Sequence, residues 1–366
     1  MKIDLAKQSL AAHLRWQAGV CAQQGSRLYG DLLTRAAEDV EAGGIIARVL
    51  GDRPATNASV LGLRLMGAVH RLVLQGEAPA LARSYPSAGR RADPEAAWPA
   101  FLALVEERFD AVSAGIDRPV QTNEVGRAAA LVGGFLEVAR LTARPLRVFE
   151  VGASAGLNLR WDRFFYEARG ATWGPPESPV RLCSYNGDRP LPFDVEARVV
   201  ERAGCDAAPV DPTTDDGRLT LLSYVWPDQA HRIRLLRAAL DVAAETPAPV
   251  ERAEAAAWTA ERWRPQAGAA TVVFHSIVMQ YLPDDRRAAF KRQVRARGAA
   301  EATPDAPLAW LRLEPAGEEA ALRLTIWPGG TEATLARCGF HGQNVRWLGG
   351  LGVSGPVPGR AANGPS

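Results

Sequence analysis

The sequence predicts an α/β fold, a doubly wound and mostly parallel sheet preceded by an all-helical N-terminal region. Three observations carry this expectation. Up to about residue 140, apolar side chains recur at i, i+3 and i+4, and no stretch alternates as a strand would. After Pro145 the run LRVFEVGA is apolar and ends in glycine, the pattern of a strand buried on both faces. From residue 219 onward, strand-like and helix-like segments alternate, which calls for crossover connections and a parallel sheet.

Taken in order, helices are expected over 3–23, 26–43, 59–76, 94–115 and 123–141, punctuated by DRPATNAS and SYPSAGRRADP. The strand at 146–153 follows. Residues 173–217 are dense in Pro, Gly and Asp and read as an irregular insertion with one short strand at VRLCSY. Alternation then runs through strand LTLLSYVW, helix QAHRIRLLRAALDVAAE, strand PVERAEA, helix AWTAERW, strand ATVVFHSIV, helix DDRRAAFKRQVRARG and strand PLAWLRLE. LRLTIWPG and QNVRWLG, separated by a helical turn at TEATLARCGF, are expected to form an antiparallel edge. The expected division is a helical region over 1–140 that acts as a lid, a sheet region over 141–350 containing the insertion, and a disordered tail over 351–366.

Composition narrows the function classes. With 366 residues the chain can bury a sizeable core, and 47% hydrophobic with 23% charged residues excludes a disordered or fibrous protein. The net charge of +2 announces no basic surface, and the arginines are interspersed with Asp and Glu rather than arrayed as a phosphate track, so no nucleic-acid partner is expected. Cys21, Cys183, Cys205 and Cys338 are scattered and the histidines are dispersed, so neither a disulfide framework nor a metal site is expected. Charges interrupt the N-terminal apolar residues, which resembles an amphipathic helix more than a signal peptide. The most apolar run, AAALVGGFLEVA, is shorter than the roughly 20 residues a membrane span needs. A cytoplasmic protein without a membrane partner is the expectation; the oligomeric state is open.

The stretch RVFEVGASAGLNLRWD admits two chemistries. Gly152-Ala-Ser154-Ala-Gly156 spells the G-x-S-x-G elbow of serine hydrolases, whose partners would be Asp228 or Asp284 followed by His341. Several strands should precede such an elbow, however, and no glycine-rich oxyanion segment lies upstream. The other reading is a cofactor loop: Gly152 and Gly156 permit close backbone approach, Ala153, Ser154 and Ala155 are small, and a helix beginning near Leu157 would turn its N–H groups into the loop. Glu150 at the strand end would repel a pyrophosphate but attract a cationic ligand such as the amino and sulfonium groups of S-adenosylmethionine (SAM).

E-x-G-x-x-x-G after the first strand of an alternating sheet resembles the first motif of class I SAM-dependent methyltransferases, with their Rossmann-like fold. QTNEVGR, FEVGASAGLNLRWDRF, YVWPDQAHR and VVFHSIVMQYLP, in this order, also resemble an uncharacterised bacterial family, domain of unknown function 2332. The methyltransferase resemblance implies SAM as cofactor and a small-molecule acceptor. It places Glu150, Gly152, Ala153, Ser154 and Gly156 at the methionine moiety, with Asn158 one turn further on. Asp228 would stand where an acid binds the ribose, and Glu254 and Ala255 beside the adenine. His275 and Tyr281, at and after the end of the fourth strand, are the catalytic candidates, with His275 as general base. Asn123, Glu124 and Arg127 of QTNEVGR, together with Gln280, are candidates for covering the site and contacting substrate. Asn123 also suits a simple N-cap, and Glu124–Arg127 a helix-face ion pair. A non-catalytic binding module built on a degenerate version of this fold stands as the alternative to an enzyme.

Overall fold

The computed structural model describes residues 9–56 and 59–352. The expected disordered tail, apart from its first two residues, and the first turns of the expected N-terminal helix lie outside the described residues.

The helical region comprises α1 (Leu10–Gln23), α2 (Arg27–Glu41), α3 (Ile45–Leu50), α4 (Leu61–Leu74), α5 (Pro79–Ala82), α6 (Pro94–Glu107) and α7 (Phe109–Ile116). Its helices start where side chains can satisfy free amides: Ser9, Ser26 and Asp93 accept from Ala12, Tyr29 and Ala96 N–H respectively. The helix expected over 94–115 breaks at Arg108 into α6 and α7. Leu14, Leu32, Leu65 and Phe101 lie in one closed core that also takes in Trp226.

The last of the five expected helices, α8 (Ala128–Thr142), packs differently. Every residue from Ala128 to Ala139 is buried, so its lack of a polar face reflects enclosure on all sides. It lies on the sheet so closely that a Cβ on Gly133 would stand 2.5 Å from Trp347, and one on Gly134 2.4 Å from Leu311.

The remaining elements are β1 (Leu146–Val151), β2 (Phe165–Ala168), β3 (Ala171–Trp173), β4 (Arg181–Leu182), β5 (Val199–Asp206), α9 (Asp215–Ser223), α10 (Ala230–Glu245), β6 (Val250–Arg252), α11 (Ala255–Arg262), β7 (Ala270–Ser276), α12 (Asp284–Glu301), β8 (Leu308–Ala316), β9 (Glu319–Trp327), β10 (Thr331–Cys338) and β11 (Arg346–Trp347). Eight strands form an open sheet in the order β11-β10-β9-β8-β7-β1-β5-β6. The strands β6, β5, β1, β7 and β8 run parallel, and β9, β10 and β11 continue as an antiparallel meander. Leu146, Val148 and Phe274 pack with α8 and α10 on one face, while Phe149, Val273 and Trp310 pack with Trp258 of α11 and Phe290 of α12 on the other. The chain is thus an all-helical region followed by a mixed α/β region. Its strand order reverses at β1, and an open sheet leaves a crevice outside the carboxyl ends of the strands at such a point.

Three expectations are corrected. LTLLSYVW is no strand: its first half completes α9, which Thr214 caps by accepting from Gly217 N–H (3.0 Å) and which Asp215 and Asp216 favour at its positive end. The strand beside β1 is instead β5, inside the expected insertion. Two of its charged residues are neutralised, Glu201 by Arg147 (2.6 Å) and Arg202 by Asp162 (2.7 Å). TEATLARCGF is not a helical turn but largely β10, paired with β9 across a turn in which Gly329 and Gly330 both have positive φ.

Candidate ligand site

A cavity of about 650 Å³ opens at the carboxyl ends of β1, β5, β6 and β7, large enough for a cofactor-sized molecule. Its floor is the strand ends and the loops that leave them: Glu150 to Gly152, Cys205 to Ala208, Arg252 to Ala255, and Ser276 to Val278. Residues 119–123 and Arg127 form one wall, and the start of α4, with Val60, Leu63 and Arg64, forms another. Tyr281 lies on the rim, 51% exposed.

Glu150 is the unusual group. It is 1% exposed, and its Oε2 has no hydrogen-bond partner among the described residues. Burial first, and then the charge of Asp206, push its carboxyl well above the usual range, while Arg127 and Arg160 oppose this. Asp206 follows from the sheet register: Val151 pairs with Cys205, so Asp206 projects one residue further along the neighbouring strand.

The loop after β1 is closed to anions. Gly152 and Ala153 N–H donate to Cys205 O (2.9 and 3.0 Å), and Ser154 N–H to Asp206 Oδ2 (2.9 Å). Ala155 and Leu157 N–H donate to Asn123 Oδ1 (3.3 and 2.9 Å), and Gly156 N–H to Ala153 O (2.7 Å). All six successive amides are therefore engaged inside the protein, and none is left to cradle a phosphate. This corrects the expectation that a helix would turn free N–H groups into the loop; residues Leu157–Arg163 form a 3-10 turn with a break at Arg160. Gly152 lines the cavity floor, at φ +70°, where a Cβ would stand 2.1 Å from Val278 Cγ2.

The expected site residues divide into two groups. Glu150, Gly152, Ser154, Glu254, Ala255, Asn123, Arg127 and Tyr281 line the cavity. Glu254 also caps α11, accepting from Ala257 N–H (2.9 Å). Arg127 spans the wall, donating to Phe340 O and Ser276 O (both 3.0 Å). The remaining expected residues do not line the cavity. Ala153 is turned between β1 and β5, where it meets Gly204, and Gly156 faces Val250. Asn158 is buried behind the loop, donating to Glu124 O (3.3 Å). Gln280 is exposed. Glu124 is buried against Arg232, whose Nε donates to it at 2.7 Å; burial opposes its charge, but Arg232, His341 and Arg127 together hold the carboxyl below its usual range.

Asp228 and His275 have other tasks. Asp228 accepts from Ser26 Oγ (2.6 Å) and Leu28 N–H (3.1 Å), so it caps α2 in the helical core; the acid at the end of the strand beside β1 is Asp206. His275 is 0% exposed and shares a face with Trp310 and Phe290. The Trp310 indole donates to its Nε2 (3.0 Å), which places the ring proton on Nδ1, and Nδ1–H donates to Glu314 (2.6 Å). Neither nitrogen is free to take a proton from a substrate. The same Glu314 oxygen accepts from Val278 and Met279 N–H (3.1 and 3.4 Å), so the pair fixes the loop that forms part of the cavity floor.

Sequence reasoning missed Asp206 and the role of Gln121. Gln121 accepts from Ser154 Oγ (2.6 Å) and donates to Ala208 O (2.8 Å), lacing the 119–123 segment over the loop. The Ser154 hydroxyl thus gives its proton to an amide, and among the described residues no histidine lines the cavity, which leaves the hydrolase elbow without its base. Among the described residues no helix is long and apolar enough to cross a membrane, and no cluster of three His, Cys, Asp or Glu is placed to hold a metal ion.

Fold and site define a mixed α/β protein with a helical N-terminal region and a cofactor-sized cavity at the strand ends. The chain belongs to the family DUF2332, described as "uncharacterized protein conserved in bacteria", whose model matches residues 11–347. No curated protein and no solved structure matches it.

Proposed function

We propose that the cavity binds SAM and that the protein is a methyltransferase acting on a small molecule. The observation that carries this reading is Glu150, a buried carboxyl at the end of β1 with an oxygen that has no hydrogen-bond partner among the described residues. Such a group costs free energy unless a donor or cation reaches it, and the primary amine of SAM supplies one. Asp206, at the end of the adjoining strand, keeps lone pairs beyond its bonds to Ser154 and Ala208 N–H, and these suit ribose hydroxyls. Ala255 and Val278 offer the apolar surface that an adenine ring needs. A loop with every amide engaged favours a ligand that brings donors over one that brings phosphates.

When bound, SAM supplies an electrophilic methyl group on a sulfonium. The contribution of the chain is positional: the Glu150 strand end and Asp206 hold the donor, and the start of α4 and residues 119–123 line the cleft where the acceptor meets it. Because His275 is committed to Trp310 and Glu314, proton removal by that residue is no part of the proposal. Calorimetric titration with S-adenosylhomocysteine and, in parallel, NAD⁺ tests the reading. Binding of the first and not of the second is expected; binding of NAD⁺ alone overturns it.

A further inference from the structure

We infer that the methyl acceptor is a small carboxylic acid anchored by Arg64, an inference that rests on the methyltransferase reading. Three arginines line the cavity. Arg127 donates to two backbone carbonyls and Arg252 to Ala207 O. Arg64 differs: its Nε is buried, and the guanidinium makes no hydrogen bond and no ion pair among the described residues. Asp117, whose carboxyl feels the Arg64 charge, is committed to Arg53 through both oxygens (2.7 and 3.1 Å). A guanidinium carries five donors in a fixed fork that matches a carboxylate, and a buried Nε without an acceptor is costly unless a guest supplies one.

The position of Arg64 separates it from the cofactor residues. Glu150, Asp206 and Glu254 stand on the sheet side of the cavity, whereas Arg64 descends from the first turn of α4, beside Val60 and Leu63. Arg64 and the three carboxyls thus belong to different elements of the cavity lining, so an anion bound by Arg64 need not displace a donor held at the strand ends. Apolar neighbours, among them Leu63, Val120 and Leu282, suit a hydrocarbon or aromatic body behind the anionic end.

A carboxylate acceptor also fits a cavity that no histidine lines among the described residues. A carboxylate is a nucleophile that has already lost its proton. Its oxygen forms a bond to the methyl carbon, the carbon–sulfur bond of the sulfonium donor breaks, the electron pair stays on sulfur, and no proton has to be removed.

The test is a binding comparison of benzoate and octanoate with benzamide and octanamide, by calorimetry, with and without S-adenosylhomocysteine. The acids are expected to bind about tenfold more tightly than their amides to the wild-type chain. Arg64→Gln should reduce that preference to about twofold or less, Arg64→Lys should retain part of it, and both should bind S-adenosylhomocysteine as the wild type does. Equal binding of acids and amides, no binding of either acid at millimolar concentration, or an undiminished preference in Arg64→Gln overturns the inference. So does a large loss of S-adenosylhomocysteine affinity in Arg64→Gln, since that assigns Arg64 to the cofactor. If the wild type fails to bind S-adenosylhomocysteine, the methyltransferase reading falls, while the acid preference of Arg64 is still decided in the cofactor-free protein.

Discussion

Replacing Glu150 by Gln should stabilise the ligand-free protein, and the gain should grow with pH. Glu150 is enclosed, has an oxygen without a partner and shares its surroundings with Asp206. Its carboxyl is raised in the folded state, so its stabilising contribution is fully present below the unfolded value, near 4.5, and is lost as pH rises toward the folded one. While the unfolded chain is ionised and the folded group is not, the loss amounts to about 1.4 kcal/mol per pH unit. The ceiling is set by the cost of leaving a buried polar group unmatched, about 1–3 kcal/mol and more for a charge. Glutamine keeps the shape and removes the ionisation. Urea denaturation at several pH values should therefore show wild type and Glu150→Gln close together at pH 4.5 and the variant about 1–3 kcal/mol more stable at pH 7. A variant less stable than wild type at pH 7 would mean that Glu150 is a satisfied, charged member of an ion pair, and the reasoning would be wrong.

Other substitutions separate cofactor residues from scaffold. Asp206→Asn should weaken S-adenosylhomocysteine binding by about tenfold or more, read by calorimetry, whereas Asp228→Asn should leave that affinity unchanged and cost about 1 kcal/mol of stability by loosening the start of α2. Ser154→Ala should cost about 1 kcal/mol, because Gln121 loses its donor, and should change cofactor affinity only slightly; abolition of a measured esterase activity would instead revive the hydrolase elbow. His275→Phe should destabilise the fold by about 1–3 kcal/mol, since Glu314 and the Trp310 indole lose their partner, with the loss measured by urea melts.

Much of this architecture is legible in the residues, and the failures have physical causes. The FEVG run and the ATVVFHS run announce buried parallel strands, and the all-apolar face of α8 announces a helix enclosed on every side. The strand VVERAGCD is hidden because Glu201 and Arg202 break its hydrophobic pattern, and only Arg147 and Asp162, distant in sequence, make those charges tolerable there. With that strand hidden, the acid at the end of the strand beside β1 reads from the sequence as Asp228 rather than Asp206. In LTLLSYVW a short apolar run outweighed the TDDG start that marks a helix. The placement of His275 was readable by alternation: it shares a strand face with Val273, which packs toward α12, while the cavity begins at Ser276. The unpartnered states of Glu150 and Arg64 depend on what surrounds each side chain in three dimensions, and no local pattern reports that.

Calorimetric titration of SAM into the wild type and into Glu150→Gln tests the account most directly. Saturable binding by the wild type, weakened about tenfold or more in the variant although the variant is the more stable protein, is the result expected. Equal affinity in both, or no binding by a wild-type chain that melts cooperatively, would contradict it.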